Sequence, residues 1–231
     1  MRVASHNVLS GGFDSYDEDA KKPKRLELLK EAIKIIDADF IGLIDTFKWD
    51  SLYTNSEIAE LFGYKSAYCI NLEDERLKKI GHNNGITVLT NLEVNIYETI
   101  NLVTRNAVRA SVFIDDILVD IFSVYLDDLS EDTRVIQTNK LLEYMDSKTP
   151  TIVMGDLNTL KRADLQLLNP LIDKFFQNNP GLLEGYESVI KDMKRGNVIE
   201  ILEQHGLKDC STSFSQPNQA RCSLPLLKSQ F

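Results

Sequence analysis

The stretch Gly155-Asp156-Leu157-Asn158 sets a carboxylate and an amide two residues apart, directly behind the apolar run Ile152 to Met154. Other polar residues stand the same way at the ends of strand-like runs: Asn7 in "RVASHNVL", Asp45 in "DFIGLID", and Tyr125 with Asp127 in "ILVDIFSVYLDD". Strand ends in layered folds are where ligand sites are built, because loops converge there over a rigid base. Two carboxylates with two amides form an oxygen-rich set. Such a set suits a hard cation such as Mg²⁺, which takes few protein ligands and keeps waters for phosphate oxygens. It does not suit zinc, since the His and Cys residues are scattered. Taken singly, each Asn or Asp reads first as ordinary turn chemistry, because these side chains hydrogen-bond their own backbone.

The elements that must position these residues alternate along the chain. Arg2 to Leu9 reads as a strand followed by a Gly-Gly loop. Leu26, Leu29, Ile33 and Ile36 recur at helical spacing and predict a helix ending near Asp37. Asp39 to Asp45 is the next strand, and Ser56 to Tyr64 a short helix with Ser56 as its cap. Asn84-Gly85 signals a hairpin-type turn. "ITVLTN", "NAVRASVFI" and "ILVDIFSVYL" follow it, with Asp115-Asp116 between the last two, and predict an antiparallel meander. Ser130 caps a helix whose buried face is Val135, Ile136, Leu141, Leu142 and Met145. A strand at Thr149 to Met154 comes next, and helices then dominate as far as a stop at Gly206. Hairpins mixed with strand–helix–strand units imply an α/β (α+β) protein with mixed sheets. The strand count favours two sheets packed together with helices outside.

Length and charge narrow the classes. The 231 residues can bury a substantial core, and no linker or repeat divides them, so a single domain over 1–231 is expected. No apolar run is long enough to span a membrane, and the N-terminus lacks a leader pattern, which makes the cytoplasm the expected location. Cys69, Cys210 and Cys222 form no CxxC pair and read as buried or incidental thiols. A net charge of −9 argues against gripping nucleic acid by a general basic field, with "KKPKR" at Lys21 to Arg25 as one local basic source. A P-loop NTPase is excluded because the chain has no GxxxxGK[ST]. His82, beside a turn dipeptide, reads as a solvent-facing loop residue. Phe47 and Trp49 read either as groove lining or as loop aromatics over the core.

Together "RVASHNVLSGG", "DFIGLIDTF", "NNGITVLTN", "ILVDIFSVYLDDLSEDTRVIQTNKLLEYM" and "TPTIVMGDLNT" resemble, in order, the endonuclease/exonuclease/phosphatase superfamily. Gly-Asp-Leu-Asn is similar to its Gly-Asp-Phe-Asn, and Ser5-His6-Asn7 to its Ser-Trp-Asn. The resemblance runs from Met1 to about Asp209 and implies a four-layer sandwich, two mixed sheets face to face with helices outside. It also implies Mg²⁺- or Mn²⁺-dependent hydrolysis of a phosphorylated substrate, a small phosphoester or nucleic acid, with no obligate protein partner inferable. By that resemblance Asn7 helps hold the metal or its waters, and Asp45 stands where the family has a metal-binding Glu. Asp156 activates the attacking water, Asn158 binds the scissile phosphate or positions Asp156, and Arg109 lies near a phosphate-contacting position.

The chain departs from the family pattern at three places. Leu-Gln-Glu is Leu43-Ile44-Asp45, one methylene shorter, so weakened metal affinity is expected. Thr-His-Leu is Val124-Tyr125-Leu126, and Tyr125 can donate a hydrogen bond but supplies no charge. No histidine follows an aspartate, and the family's terminal Ser-Asp-His has no counterpart. The last strands are therefore expected to be missing, leaving a domain incomplete at its C-terminus with an unpaired sheet edge and lower stability. The alternative function is a catalytically impaired or truncated relative that keeps the fold without hydrolysis.

Overall fold

A computed structural model of the chain describes residues 1–13 and 24–210, without the side chains of 24 and 182–184. The "KKP" at 21–23 of the basic run and the C-terminal segment from Ser211 lie outside the described residues. In chain order the elements are β1 (Val3–Asn7), α1 (Lys24–Ile36), β2 (Phe40–Ile44), α2 (Trp49–Leu52), α3 (Asn55–Phe62), β3 (Ser66–Asn71), α4 (Glu75–Lys79) and β4 (Gly85–Thr90). They continue with β5 (Glu93–Asn101), β6 (Asn106–Ile114), β7 (Ile117–Tyr125), α5 (Glu131–Leu142), β8 (Thr151–Asp156), α6 (Leu165–Asn178), α7 (Pro180–Met193) and α8 (Asn197–Gln204).

The chain divides into two units. One takes Met1–Leu126 with Lys140–Asp156, and the other Asp127–Asn139 with the chain from Leu157 onward. All eight described strands belong to the first. They form two four-stranded mixed sheets, ordered β1-β2-β4-β3 and β5-β6-β7-β8. Each sheet has one parallel pair, β1 with β2 and β7 with β8, and is otherwise antiparallel. Alternation sends Phe40, Ile44, Ile86 and Val88 of the first sheet against Val108, Ala110, Val112 and Ile121 of the second, a shared apolar core. Ile41, Leu43 and Leu89 point the other way, into a second core with Leu26, Leu29 and Ile33 of α1 and Ile58 of α3. Two face-to-face mixed sheets with helices against them are the expected sandwich. Tyr68 and Tyr97 stack at 5.1 Å between edge strands β3 and β5, and Tyr68 Oη bonds Thr99 Oγ1 at 2.9 Å.

Several local expectations need correction. Thr54, not Ser56, caps α3: its Oγ1 accepts from Glu57 N–H while Glu57 Oε2 accepts from Thr54 N–H, a reciprocal capping box. Asn84-Gly85 closes no tight hairpin, because α4 lies between β3 and β4, and β4 joins the first sheet rather than the meander. The meander is β5-β6-β7. Its last turn is Asp115-Asp116, with φ of 48° and 64°, the doubly left-handed geometry of a tight hairpin. Ser130 does cap α5, its Oγ accepting from Thr133 N–H. The buried face of α5 is Glu131, Arg134, Gln137, Thr138 and Leu141, while Ile136 is exposed.

Cys69 on β3 is largely enclosed, and burial pushes its thiol up to about 11, partly offset by the Thr87 hydroxyl. A raised pKa means less thiolate at mildly alkaline pH. Cys69 is expected to react with a disulfide reagent about a hundredfold more slowly than a thiol of ordinary pKa. Exposed Cys210 provides the internal comparison. Mass-spectrometric mapping of the labelled cysteines checks this, and equal rates at the two positions would contradict it.

Candidate active site

The two parallel pairs decide where the polar strand ends meet. Asn7 is the last residue of β1, and Asp156 the last of β8, on the other sheet. Asn7 Nδ2 donates to Asp156 Oδ2 at 3.0 Å, a bond between residues 149 apart in sequence. Asn7 Oδ1 accepts from Leu9 N–H at 3.0 Å, which fixes the amide's orientation. Tyr125 ends β7 and is the register partner of Asp156, so the phenol and the carboxylate emerge side by side on one face of the sheet. Asn7, Tyr125 and Asp156 are thus brought together, and all three are partly buried.

Asp45 lies one residue beyond β2, 2% exposed and in the left-handed region at φ 66°. Its Oδ2 accepts from Ser10 N–H at 2.9 Å, and its carbonyl accepts from Gly11 N–H at 2.7 Å. Asp45 therefore bolts the loop after β1 to the end of β2. Trp49 adds a second bolt, its Nε1 donating to Gly11 O at 2.9 Å, and it stacks on Phe62. Trp49 and Phe47 are buried core aromatics, 0% and 4% exposed, and the groove-lining alternative falls away. His82 is half-buried, its ring edge-on to Phe47.

No protein-family model matches the chain, and no curated protein matches it by sequence. Solved structures do match. The human nocturnin catalytic domain superposes with TM-score 0.54 at 18% identity, over 69% of this chain and 64% of that one. An endonuclease/exonuclease/phosphatase family protein from Leptotrichia buccalis gives 0.52 at 12% identity, over 69% and 67%. A mannosyl-6-phosphatase of Bacteroides thetaiotaomicron gives 0.50 at 17%, over 69% and 66%. The chain has the endonuclease/exonuclease/phosphatase fold. The matched part spans about two thirds of the length of these structures.

One expected site residue, Arg109, lies elsewhere. Arg109 sits on β6 between Val108 and Ala110, which face the inter-sheet core, so it projects from the opposite face of the sheet. There it pairs with Asp120 at 2.8 Å and Glu98 at 3.2 Å, and Asp120 also takes the Ser111 hydroxyl. Arg109 is not brought to Asn7, Tyr125 and Asp156. Asn158 adopts φ 49° and belongs to the second unit. Asp127 accepts from Leu129 N–H and Ser130 N–H and so caps the turn into α5.

One residue escaped sequence reasoning. Arg105, 1% exposed, lies with its guanidinium carbon 4.9 Å from the Tyr125 ring centroid. Its Nη1 donates to Leu126 O at 2.6 Å and its Nε to Asp74 Oδ2 at 2.8 Å. Burial alone would raise the Asp74 carboxyl. The Arg105 hydrogen bond, Leu77 N–H and the charges of Arg105 and Arg76 together hold it below the usual range. The only sequence signal was a single cation at the head of a strand.

The donors around Asn7 and Asp156 are oxygens and an amide, the chemistry of a hard cation that keeps most of its waters. They form no closed cage: among the described residues no three His, Cys, Asp or Glu side chains group to hold a metal. Oxygen and amide donors of this kind fit a Mg²⁺ or Mn²⁺ ion.

Proposed function

We propose that the chain is a phosphoester hydrolase whose reaction centre is the junction of β1, β7 and β8. The observation that carries this is the Asn7–Asp156 hydrogen bond across the two sheets, with Tyr125 in register beside the carboxylate. Asp156 takes the proton from the attacking water as the water oxygen bonds to phosphorus and the ester oxygen leaves. Asn7, itself held by Leu9 N–H, keeps that carboxylate in one orientation. Tyr125 donates its hydroxyl to a phosphoryl oxygen. Asp156, Asn7 and Asp45 would hold a Mg²⁺ or Mn²⁺ ion, which when bound supplies positive charge to the phosphoryl oxygens. The net charge of −9 favours small phosphoesters over long nucleic acids as substrates. The cytoplasm is the proposed location, and among the described residues no helix is long and apolar enough to cross a membrane.

Purified protein with Mg²⁺ or Mn²⁺ is expected to hydrolyse bis-p-nitrophenyl phosphate. Asp156→Asn, which keeps the shape and removes the base, should lower kcat about 10²–10⁴-fold. Unchanged turnover in that variant would remove Asp156 from the centre. A second reading, a fold kept without hydrolysis, is favoured by the engagement of Asp45 with Ser10 N–H and by the lack of a closed metal cage among the described residues. Silence of the wild-type protein with both cations and with phosphomonoesters would select it.

A further inference from the structure

We propose that Arg105 is a positioning residue for Tyr125, fixing the phenol at the end of β7 and strengthening it as a hydrogen-bond donor to phosphate. The inference rests on the phosphoester reading only for its kinetic arm. Arg105 cannot touch substrate itself, being 1% exposed and bound through Nε to Asp74 and through Nη1 to Leu126 O. What it can reach is the ring. A guanidinium 4.9 Å from the centroid lies within cation–π range and draws electron density from the aromatic system that carries the hydroxyl.

The mount is built from both sheets. Asp74, 6% exposed, accepts from Arg76 N–H at 2.9 Å and Leu77 N–H at 3.1 Å, and so is locked to the start of α4. From there it holds Arg105 Nε, while Asn106 N–H, the next residue, donates to Leu72 O at 2.7 Å. The cation is therefore tied to the β3–α4 connection on one side and to the chain leaving β7 on the other. A Tyr in place of a charged group at this strand end lacks charge of its own. Arg105 places one against its π-face, shielded from water by burial and kept from the substrate by Asp74.

A double-mutant cycle on the full chain tests this with bis-p-nitrophenyl phosphate. Arg105→Met is expected to lower kcat ~30-fold with little change in KM. In the Tyr125→Phe background the same substitution should lower kcat no further, because the hydroxyl it acts through is gone. A loss of the same factor in both backgrounds would overturn the proposal, since a merely structural role acts regardless of the hydroxyl. If Arg105→Met does not fold, the cycle is run with Arg105→Lys. A smaller loss is then expected, again vanishing in the Tyr125→Phe background, and a persistent one would overturn the proposal. If the wild type shows no hydrolysis, the hydrolase reading fails and the positioning is read separately. In 3-fluorotyrosine-labelled protein, the Tyr125 ¹⁹F resonance, assigned by its loss in Tyr125→Phe, should move when inorganic phosphate is added. It should not move in Arg105→Met or Arg105→Lys. An equal response with and without Arg105, or none in the wild type, would overturn the proposal.

Discussion

Gly155→Ala is expected to destabilise the sheet unit by about 3 kcal/mol or more, combining overlap with a backbone conformation that L side chains rarely adopt. Gly155 has φ +132°, and a Cβ built there would lie 1.9 Å from Val124 O and 2.8 Å from Val124 N. Those are backbone atoms of the adjacent strand, so relief requires β7 and β8 to part. Their parting would also break the register that sets Tyr125 beside Asp156. Against a typical domain stability of about 5–15 kcal/mol, a loss of this size moves a urea midpoint clearly. The single tryptophan, Trp49, is 0% exposed in the sheet unit and reports the transition. Gly63→Ala is the control. It has φ +73° at the end of α3 but open space around a new Cβ, so it should cost only about 1 kcal/mol. Equal midpoints for the two variants would show that β7 and β8 yield readily.

Glu131→Ala is expected to cost about 3–5 kcal/mol in the second unit, the usual penalty for stranding one member of a buried ion pair. Glu131 and Arg134 are both 0% exposed, joined Oε2 to Nε at 2.8 Å. The other carboxylate oxygen accepts from Asn197 N–H at 2.7 Å and Val198 N–H at 3.3 Å, satisfying the start of α8. Arg134 Nη1 binds Asp127 O at 2.8 Å. Removing the carboxylate strands a guanidinium and two helix donors at once. Replacing both residues, as Glu131→Leu with Arg134→Met, should recover part of the loss because no buried charge remains. Recovery stays partial because the α8 donors still lack a partner. Thermal denaturation followed by far-UV ellipticity checks the order: wild type, double variant, single variant. A double variant no better than Glu131→Ala would assign the whole effect to the α8 cap.

Glu131 and Arg134 also show what the sequence conceals. Val135, Ile136, Leu142 and Met145 advertise an apolar helix face, yet α5 buries a polar one, and its Glu131 carboxylate caps Asn197 and Val198 more than sixty residues away. No periodicity encodes such a pairing. Strand β5 went unread for a related reason. As an edge strand carrying Glu93, Asn95, Glu98 and Asn101, it lacks the apolar signal of β2, which is buried at every residue. The polar ends of β1, β7 and β8 were legible, because an apolar run that stops at Asn, Tyr or Gly-Asp is a local pattern. That Asn7 would bond Asp156 follows from the strand orders, which no local pattern contains. The weight of Arg105 comes from Asp74, 31 residues away, from Leu126 O and from the Tyr125 ring.

Each sheet is a continuous stretch of chain: β1 to β4 end at Thr90, and β5 begins at Glu93. During synthesis the first sheet can pair in full before any strand of the second has emerged. Its inner face, with Phe40, Ile44, Ile86 and Val88, then waits for Val108, Ala110 and Ile121. The bond between Asn7 and Asp156 closes nearly the largest loop in the sheet unit, so it carries a high entropic cost and forms only after the two faces dock. Recovery of hydrolysis after dilution from denaturant should accordingly lag the burial of Trp49, which belongs to the outer core of the first sheet alone.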